Sequence, residues 1–198
     1  NGGYDADLEL WHELAAAANG PILDLGAGTG RVALDLAQAG HDVTALDSDA
    51  TLLGELGERA RARGLRIDCL RTDARELEAA DPFALVIAPM QFVQIVGGAP
   101  GRAALLAAVA ACLEPDGTFA AAIADLDDAV AAEDAPPPVP DVGQHGDWIY
   151  SSLPLDVRPE PGGVAVEWLR QRVSPAGELT EQRHTQVLDS VAPEQLES

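Results

Sequence analysis

The chain has 198 residues, 33 acidic and 12 basic, for a net charge of −21; every basic residue is Arg and there is no Lys. That length fits one domain, or one with an appendage, and can bury a core without disulfide staples. Phosphate neutralisation supplies most nucleic-acid affinity, so this charge argues against a nucleic-acid partner, and equally against an anionic membrane surface. Cys69 and Cys112 are too few for a disulfide framework or a thiolate metal site. No apolar run approaches the ~18 residues of a membrane span and no signal peptide is visible, so the expected location is the cytoplasm. The chain begins at Asn1 rather than Met, which suggests trimmed or missing termini.

Asp5–Ala18 reads as a helix, with Leu8, Trp11, Leu14 and Ala18 on one face and Asn19-Gly20-Pro21 as its stop. Ile22–Leu25 is a short apolar strand that runs into a glycine cluster. Arg31–Ala39 is helical, Asp42–Leu46 a strand, Ala50–Arg63 a helix and Arg66–Leu70 a strand. Glu76–Ala80 is a short helix at best. Phe83–Ala88 is a continuous apolar strand, Arg102–Leu113 an Ala/Leu helix, and Thr118–Ala124 a fifth strand after the turn Glu114-Pro115-Asp116-Gly117. Strands and helices alternating in this way predict right-handed crossovers and a parallel sheet. Asp125–Asp147 holds seven acidic residues, no Arg and four prolines, and reads as a solvated loop or lid. Trp148–Val157, Val164–Val173 and Leu179–Leu188 follow as an antiparallel three-strand meander, separated by glycine turns. Residues 191–198 read as the start of a helix that stops short. The expected division is therefore 1–124, 125–147, 148–190 and 191–198.

The chemistry is concentrated at the ends of the predicted strands. Ile22-Leu23-Asp24-Leu25-Gly26-Ala27-Gly28-Thr29-Gly30-Arg31 joins a strand to a helix. Glycines there allow a tight turn and close approach of a ligand, and the helix start offers N–H groups and a positive dipole end. Asp47 ends the second strand, where a carboxylate can accept two hydrogen bonds from a ribose diol. Asp73 follows the third, where it can accept from an adenine amine, with Ala74 and Leu77 against the ring. Taken singly, Asp47 or Asp73 reads as an N-cap or a solvated turn. Together with the loop they place glycines, acid and acid at three successive strand ends, where open α/β sheets bind ligands.

A dinucleotide loop expects G-x-G-x-x-G, but here Arg31 stands at the third glycine position and Asp24 precedes the loop. The pattern instead resembles motif I of the class I S-adenosylmethionine-dependent methyltransferases. The resemblance runs from Tyr4 to about Ala124, and Leu113-Glu114-Pro115-Asp116-Gly117-Thr118-Phe119 resembles that family's turn into its fifth strand. It implies a Rossmann-like α/β core and S-adenosylmethionine as cofactor. Asp24, Gly26, Ala27, Gly28 and Arg31 would hold the methionine end, with Asp47 and Ser48 at the ribose and Asp73 and Ala74 at the adenine. Pro89 and Met90 would border the transferring methyl group, and Tyr4 would close over the cofactor. The meander resembles the substrate-covering sheet of small-molecule members. The sixth and seventh strands usual in the family have no counterpart here. That leaves an open edge on strand five, at which a homodimer is one admissible arrangement.

On this reading the partner is a small-molecule methyl acceptor. Gln91, Gln94, Trp148 and Arg170 are the residues expected to meet it, and the transfer goes to nitrogen or oxygen. No residue stands out as catalytic; His145 and His184 are the candidates for a base toward a hydroxyl acceptor. Histidines and acids lack metal-ligand spacing, so no metal is expected. Two alternatives remain: a non-catalytic S-adenosylmethionine-binding or interaction module on the same fold, and a dinucleotide-dependent oxidoreductase.

Overall fold

A computed structural model describes residues 4–126 and 139–196. They form two compact units, one spanning Asp5–Ile123, the other holding Tyr4 and the residues from Ala124 onward. The first unit runs α1 (Leu8–Ala17), β1 (Ile22–Leu25), α2 (Arg31–Gln38), β2 (Val43–Asp47), α3 (Ala50–Ala62), β3 (Asp68–Arg71), β4 (Phe83–Ala88), α4 (Gly98–Cys112) and β5 (Leu113–Ala121). All five strands are parallel, in the order β3-β2-β1-β4-β5.

That order follows from the apolar runs. All four residues of β1 are buried, and all but Ala84 in β4, as strands covered on both faces must be. Edge strand β3 is largely exposed. One helical layer packs Trp11 and Ala15 of α1 with Val32 and Leu36 of α2, Leu53 and Leu56 of α3, and Ile22, Val43, Leu85 and Ile87 of the sheet. Trp11 is 1% exposed, so truncation to Ala would cost about 3–5 kcal/mol.

Several predicted boundaries move. α4 begins at Gly98, well before Arg102, because Gly97 supplies a left-handed N-cap and Gly101 sits so close to the Val96 carbonyl that no side chain fits. β5 opens at Leu113: Phe83 pairs with Leu113 and Leu85 with Thr118, so Glu114–Gly117 loops out within the strand. In place of a helix over Glu76–Ala80 there is a single 3-10 turn at Ala74–Glu76, set by Asp73 accepting from the Arg75 N–H. A second 3-10 turn, Phe92–Gln94, follows β4.

The other unit is an antiparallel sheet of four strands, not three: β6 (Asp141–His145), β7 (Trp148–Glu160), β8 (Gly163–Val173) and β9 (Leu179–Asp189), paired in that order. β6 lies within the segment expected to be a loop. His145 pairs with Trp148 across Gly146-Asp147, and Gly146 takes φ +56°, a two-residue hairpin with glycine at its first position. The rest of the expected acidic lid, 127–138, lies outside the described residues. Leu126, Val164 and Val166 form this unit's core, with Ala124, Trp168 and Leu188 against them. A 3-10 turn at Pro193–Gln195 stands where a helix start was expected.

Candidate functional site

Parallel register puts the C-terminal ends of β1, β2, β3 and β4 along one edge of the first unit: Leu25 pairs with Leu46, Asp47 with Arg71, and Asp24 with Ile87. The loops after β1 and β4 leave that edge side by side, where the strand order reverses, the place at which open α/β sheets bind ligands. Phe92, after β4, reaches across to the β1 loop. A methyl group added to Gly26 would lie 2.4 Å from the Phe92 ring, so only glycine fits beneath that ring.

The glycine loop is built around α2. Gly30 is the helix N-cap, with φ +88° and no side chain to cap with. Asp24 does the capping from the neighbouring strand, its Oδ2 accepting the Ala33 N–H at 3.1 Å. Its other oxygen, Oδ1, is buried and has no hydrogen-bond partner. Burial pushes the Asp24 carboxyl up to about 7, against the opposing pull of the Ala33 N–H and the Arg31 charge. Asp47 ties the same loop to β2: its Oδ2 accepts from Gly28 N and its Oδ1 from Asp49 N, both at 2.9 Å. Gly28 has φ +56°, and a side chain there would meet nothing nearer than the Gly26 carbonyl at 3.9 Å. The loop is thus held in place and open above Gly28. Arg59 of α3 steadies its far side, donating to the Thr29 hydroxyl at 3.1 Å.

Arg31 points back toward α1. Its guanidinium donates to both oxygens of Asp7, at 2.5 and 2.8 Å, and Asp7 also accepts from the Trp11 indole N–H. The Arg31 hydrogen bond holds the Asp7 carboxyl below its ordinary range, burial opposing. The spacing of α1 gave no sign of this pair. Asp73 is similarly engaged: Arg75 donates to both of its oxygens, and that pairing holds its carboxyl down to about 2. Ala74 and Leu77 are buried in the unit's own packing, and Ser48 is exposed.

After β4, Pro89 is half-buried and Met90 is 41% exposed with φ +59°, the described non-glycine residue in the left-handed region. Backbone strain of this kind collects at functional sites. Gln91 is half-buried. Gln94 departs from expectation: it is fully buried, because the 3-10 turn faces it inward and away from any acceptor at the surface.

The remaining expected residues belong to the second unit. Tyr4 is exposed there. Trp148, Arg170 and His184 fall on alternate positions of β7, β8 and β9, and share one face of that sheet. His145 ends β6. Of the other histidines, His12 pairs with Asp35 at 2.6 Å, bridging α1 to α2. Among the described residues no group of three or more His, Cys, Asp or Glu is arranged to hold a metal ion, and no helix is long and apolar enough to cross a membrane.

Residues 22–117 match the sequence model of the family described as "Methyltransferase domain". No curated protein matches the chain in sequence. Among solved structures, DesVI from Streptomyces venezuelae is 16% identical, with a TM-score of 0.74 over 96% of this chain and 77% of that one. The sugar N-methyltransferase KedS8 from Streptoalloteichus sp. is 14% identical, with a TM-score of 0.73 over 96% of this chain and 72% of that one. The glycopeptide N-methyltransferase MtfA, complexed with S-adenosylhomocysteine, is 24% identical, with a TM-score of 0.61 over 99% of this chain and 76% of that one. At these identities the likeness is one of fold.

The glycine loop, the strand order and the family match agree on a methyltransferase domain over residues 22–117. The residues present fit S-adenosylmethionine, the cofactor the sequence implies. Asp24 offers a buried oxygen without a partner, and Gly28 leaves open a cradle that a side chain would fill.

Proposed function

We propose that the chain transfers a methyl group from S-adenosylmethionine to a nitrogen or oxygen atom of a small molecule in the cytoplasm. The observation that carries this reading is the loop itself: Asp47 holds Gly28 at 2.9 Å while the space above Gly28 stays open. Bound there, the cofactor supplies an electrophilic methyl group on a sulfonium. The protein's part is then to bind and align. The backbone of Gly26, Ala27 and Gly28 would hold the methionine end, with the α2 N-terminus, and Arg31 beyond its pair with Asp7, offering positive charge to its carboxylate. Asp24, whose Oδ1 has no partner, would meet the positive end of the same group. Asp47 keeps lone pairs for the ribose diol beyond those it gives to Gly28 and Asp49. Asp73 would take the adenine amine on oxygens it shares with Arg75, while Ala74, buried in the unit's own packing, would only back that position.

Acceptor chemistry follows from charge. A net charge of −21 and the absence of Lys disfavour nucleic acid as acceptor. KedS8 and MtfA are named as N-methyltransferases of a sugar and a glycopeptide, which supports a small acceptor and favours nitrogen. An amine needs only to be neutral; a hydroxyl needs a base, for which His184 and His145 stand as candidates. Calorimetry with S-adenosylhomocysteine tests the reading, with NADH as control ligand and Asp47→Ala as control protein. Saturable binding that is lost in Asp47→Ala is expected. Binding of NADH instead, or none by a folded sample, would overturn it.

A further inference from the structure

In the antiparallel sheet, register and pleat sort the side chains onto two faces. One face carries Trp148 and Tyr150 from β7, Trp168, Arg170 and Arg172 from β8, and His184 from β9; Tyr150 lies opposite Arg172, and Trp168 opposite His184. The faces differ in how they treat charge. On the opposite face Arg183 pairs with Glu167, Arg158 with Asp156, and Gln171 with Glu181. On this face neither Arg170 nor Arg172 has a carboxylate partner among the described residues, although the chain carries 33 acids. Arg172 lies over the Trp148 ring, 5.9 Å from its centroid. The carboxylate on this face is Asp141, on the edge strand, two strands from Arg170.

In a strongly acidic chain, two exposed arginines without acids beside exposed aromatic rings mark a local reversal of charge. A guanidinium fork is matched geometrically to carboxylate and phosphate oxygens, and an indole or phenol face to a planar ring. The face is also anchored at one end, where Val164 and Val166 pack under Leu126. We infer that this face binds an anion carrying a carboxylate or phosphate next to a planar ring. Arg170 and Arg172 take the oxygens; Trp148 and Tyr150 take the ring.

The test uses the full chain with phenyl phosphate as probe, benzoate as the carboxylate arm and benzyl alcohol as the neutral arm, read by tryptophan fluorescence. Saturable quenching by phenyl phosphate or benzoate that weakens with salt is expected, with benzyl alcohol inert. Arg170→Gln and Arg172→Gln together should raise the dissociation constant about tenfold or more, while S-adenosylhomocysteine binding and the thermal midpoint stay unchanged. No quenching by either anion through the millimolar range, quenching by benzyl alcohol alike, or an unchanged double variant would overturn the inference. In each of those cases retained S-adenosylhomocysteine binding leaves the methyltransferase reading intact. Loss of that binding alone would sink the cofactor reading and leave the anion face standing.

Discussion

Asp7 and Arg31 meet through both carboxylate oxygens and both terminal guanidinium nitrogens, joining the residue before α1 to the first residue of α2. The pair explains an oddity of α1: Asp7 is its N-cap yet makes no side-chain cap hydrogen bond, because the carboxylate is committed elsewhere. Both side chains are largely buried, 15% and 14% exposed, so removing one takes a two-point hydrogen-bond partner from the other. Asp7→Asn is expected to lower the unfolding free energy at neutral pH by about 1–3 kcal/mol. Asp7 has a lowered pKa in the fold, so its contribution is present above the ordinary carboxylate pKa and fades as pH falls through the lowered value. Urea titrations at pH 7 and pH 3 check this; an Asn variant as stable as wild type at pH 7 would show the pair to be idle.

Asp24 carries the opposite sign. Its carboxyl rises from 3.8 to about 7 on folding. Between those values the unfolded chain has released a proton that the folded chain retains. Stability should therefore fall as pH rises through that window, by about 4 kcal/mol in total, and change no further above it. Asp24→Asn removes the titration. The variant should gain on wild type between pH 5 and pH 8, as read from urea midpoints. Parallel profiles for the two proteins would mean that Asp24 is ionised in the fold.

Two glycines of the loop should fail for different reasons. Gly28→Ala meets open space, so its stability cost is the left-handed backbone alone, about 1 kcal/mol. Its methyl group would project into the proposed cofactor cradle and weaken S-adenosylhomocysteine binding severely. Gly26→Ala strikes the Phe92 ring, and its thermal midpoint should drop further. Adding Phe92→Ala should restore part of that midpoint. Calorimetry and melting curves on the same three variants separate the effects; equal melting of both glycine variants would contradict the contact.

Met90 holds φ +59° with an unbranched but bulky side chain. Met90→Gly should relieve about 1 kcal/mol of backbone strain, offset by whatever packing the side chain contributes. Met90→Ile should be worse than either, since a β-branched residue tolerates that region least. Thermal midpoints in the order Gly, Met, Ile are expected, and Ile matching Met would show the strain to be absent.

The parallel unit was legible because its apolar runs are long and uninterrupted; Phe83–Ala88 has no reading but a doubly covered strand. β6 was not, because prolines and acids on its N-terminal side dominate the composition, while the informative pair, Gly146-Asp147, is only two residues long. The loop was legible as glycines, and Asp47 as an acid at a strand end. The Arg31–Asp7 bond was not: it joins positions 24 apart in sequence, and nothing local distinguishes Asp7 from Asp5. Phe92 over Gly26 was hidden for a related reason. A glycine announces that something comes close, never what.

Strand order also partitions how such a chain can diverge. Asp47 holds the Gly28 backbone and Asp24 the Ala33 backbone on the β1 side of the boundary, so substitutions there must be accepted in sets. Positions 89–91, beyond β4, lie on the other side and are free to drift toward a new acceptor without disturbing that set. Phe92 is the exception, since its ring rests on Gly26. Among descendants of this fold, position 92 should covary with position 26 more strongly than any of its neighbours, leaving a record of which acceptor changes had to be negotiated with the cofactor loop.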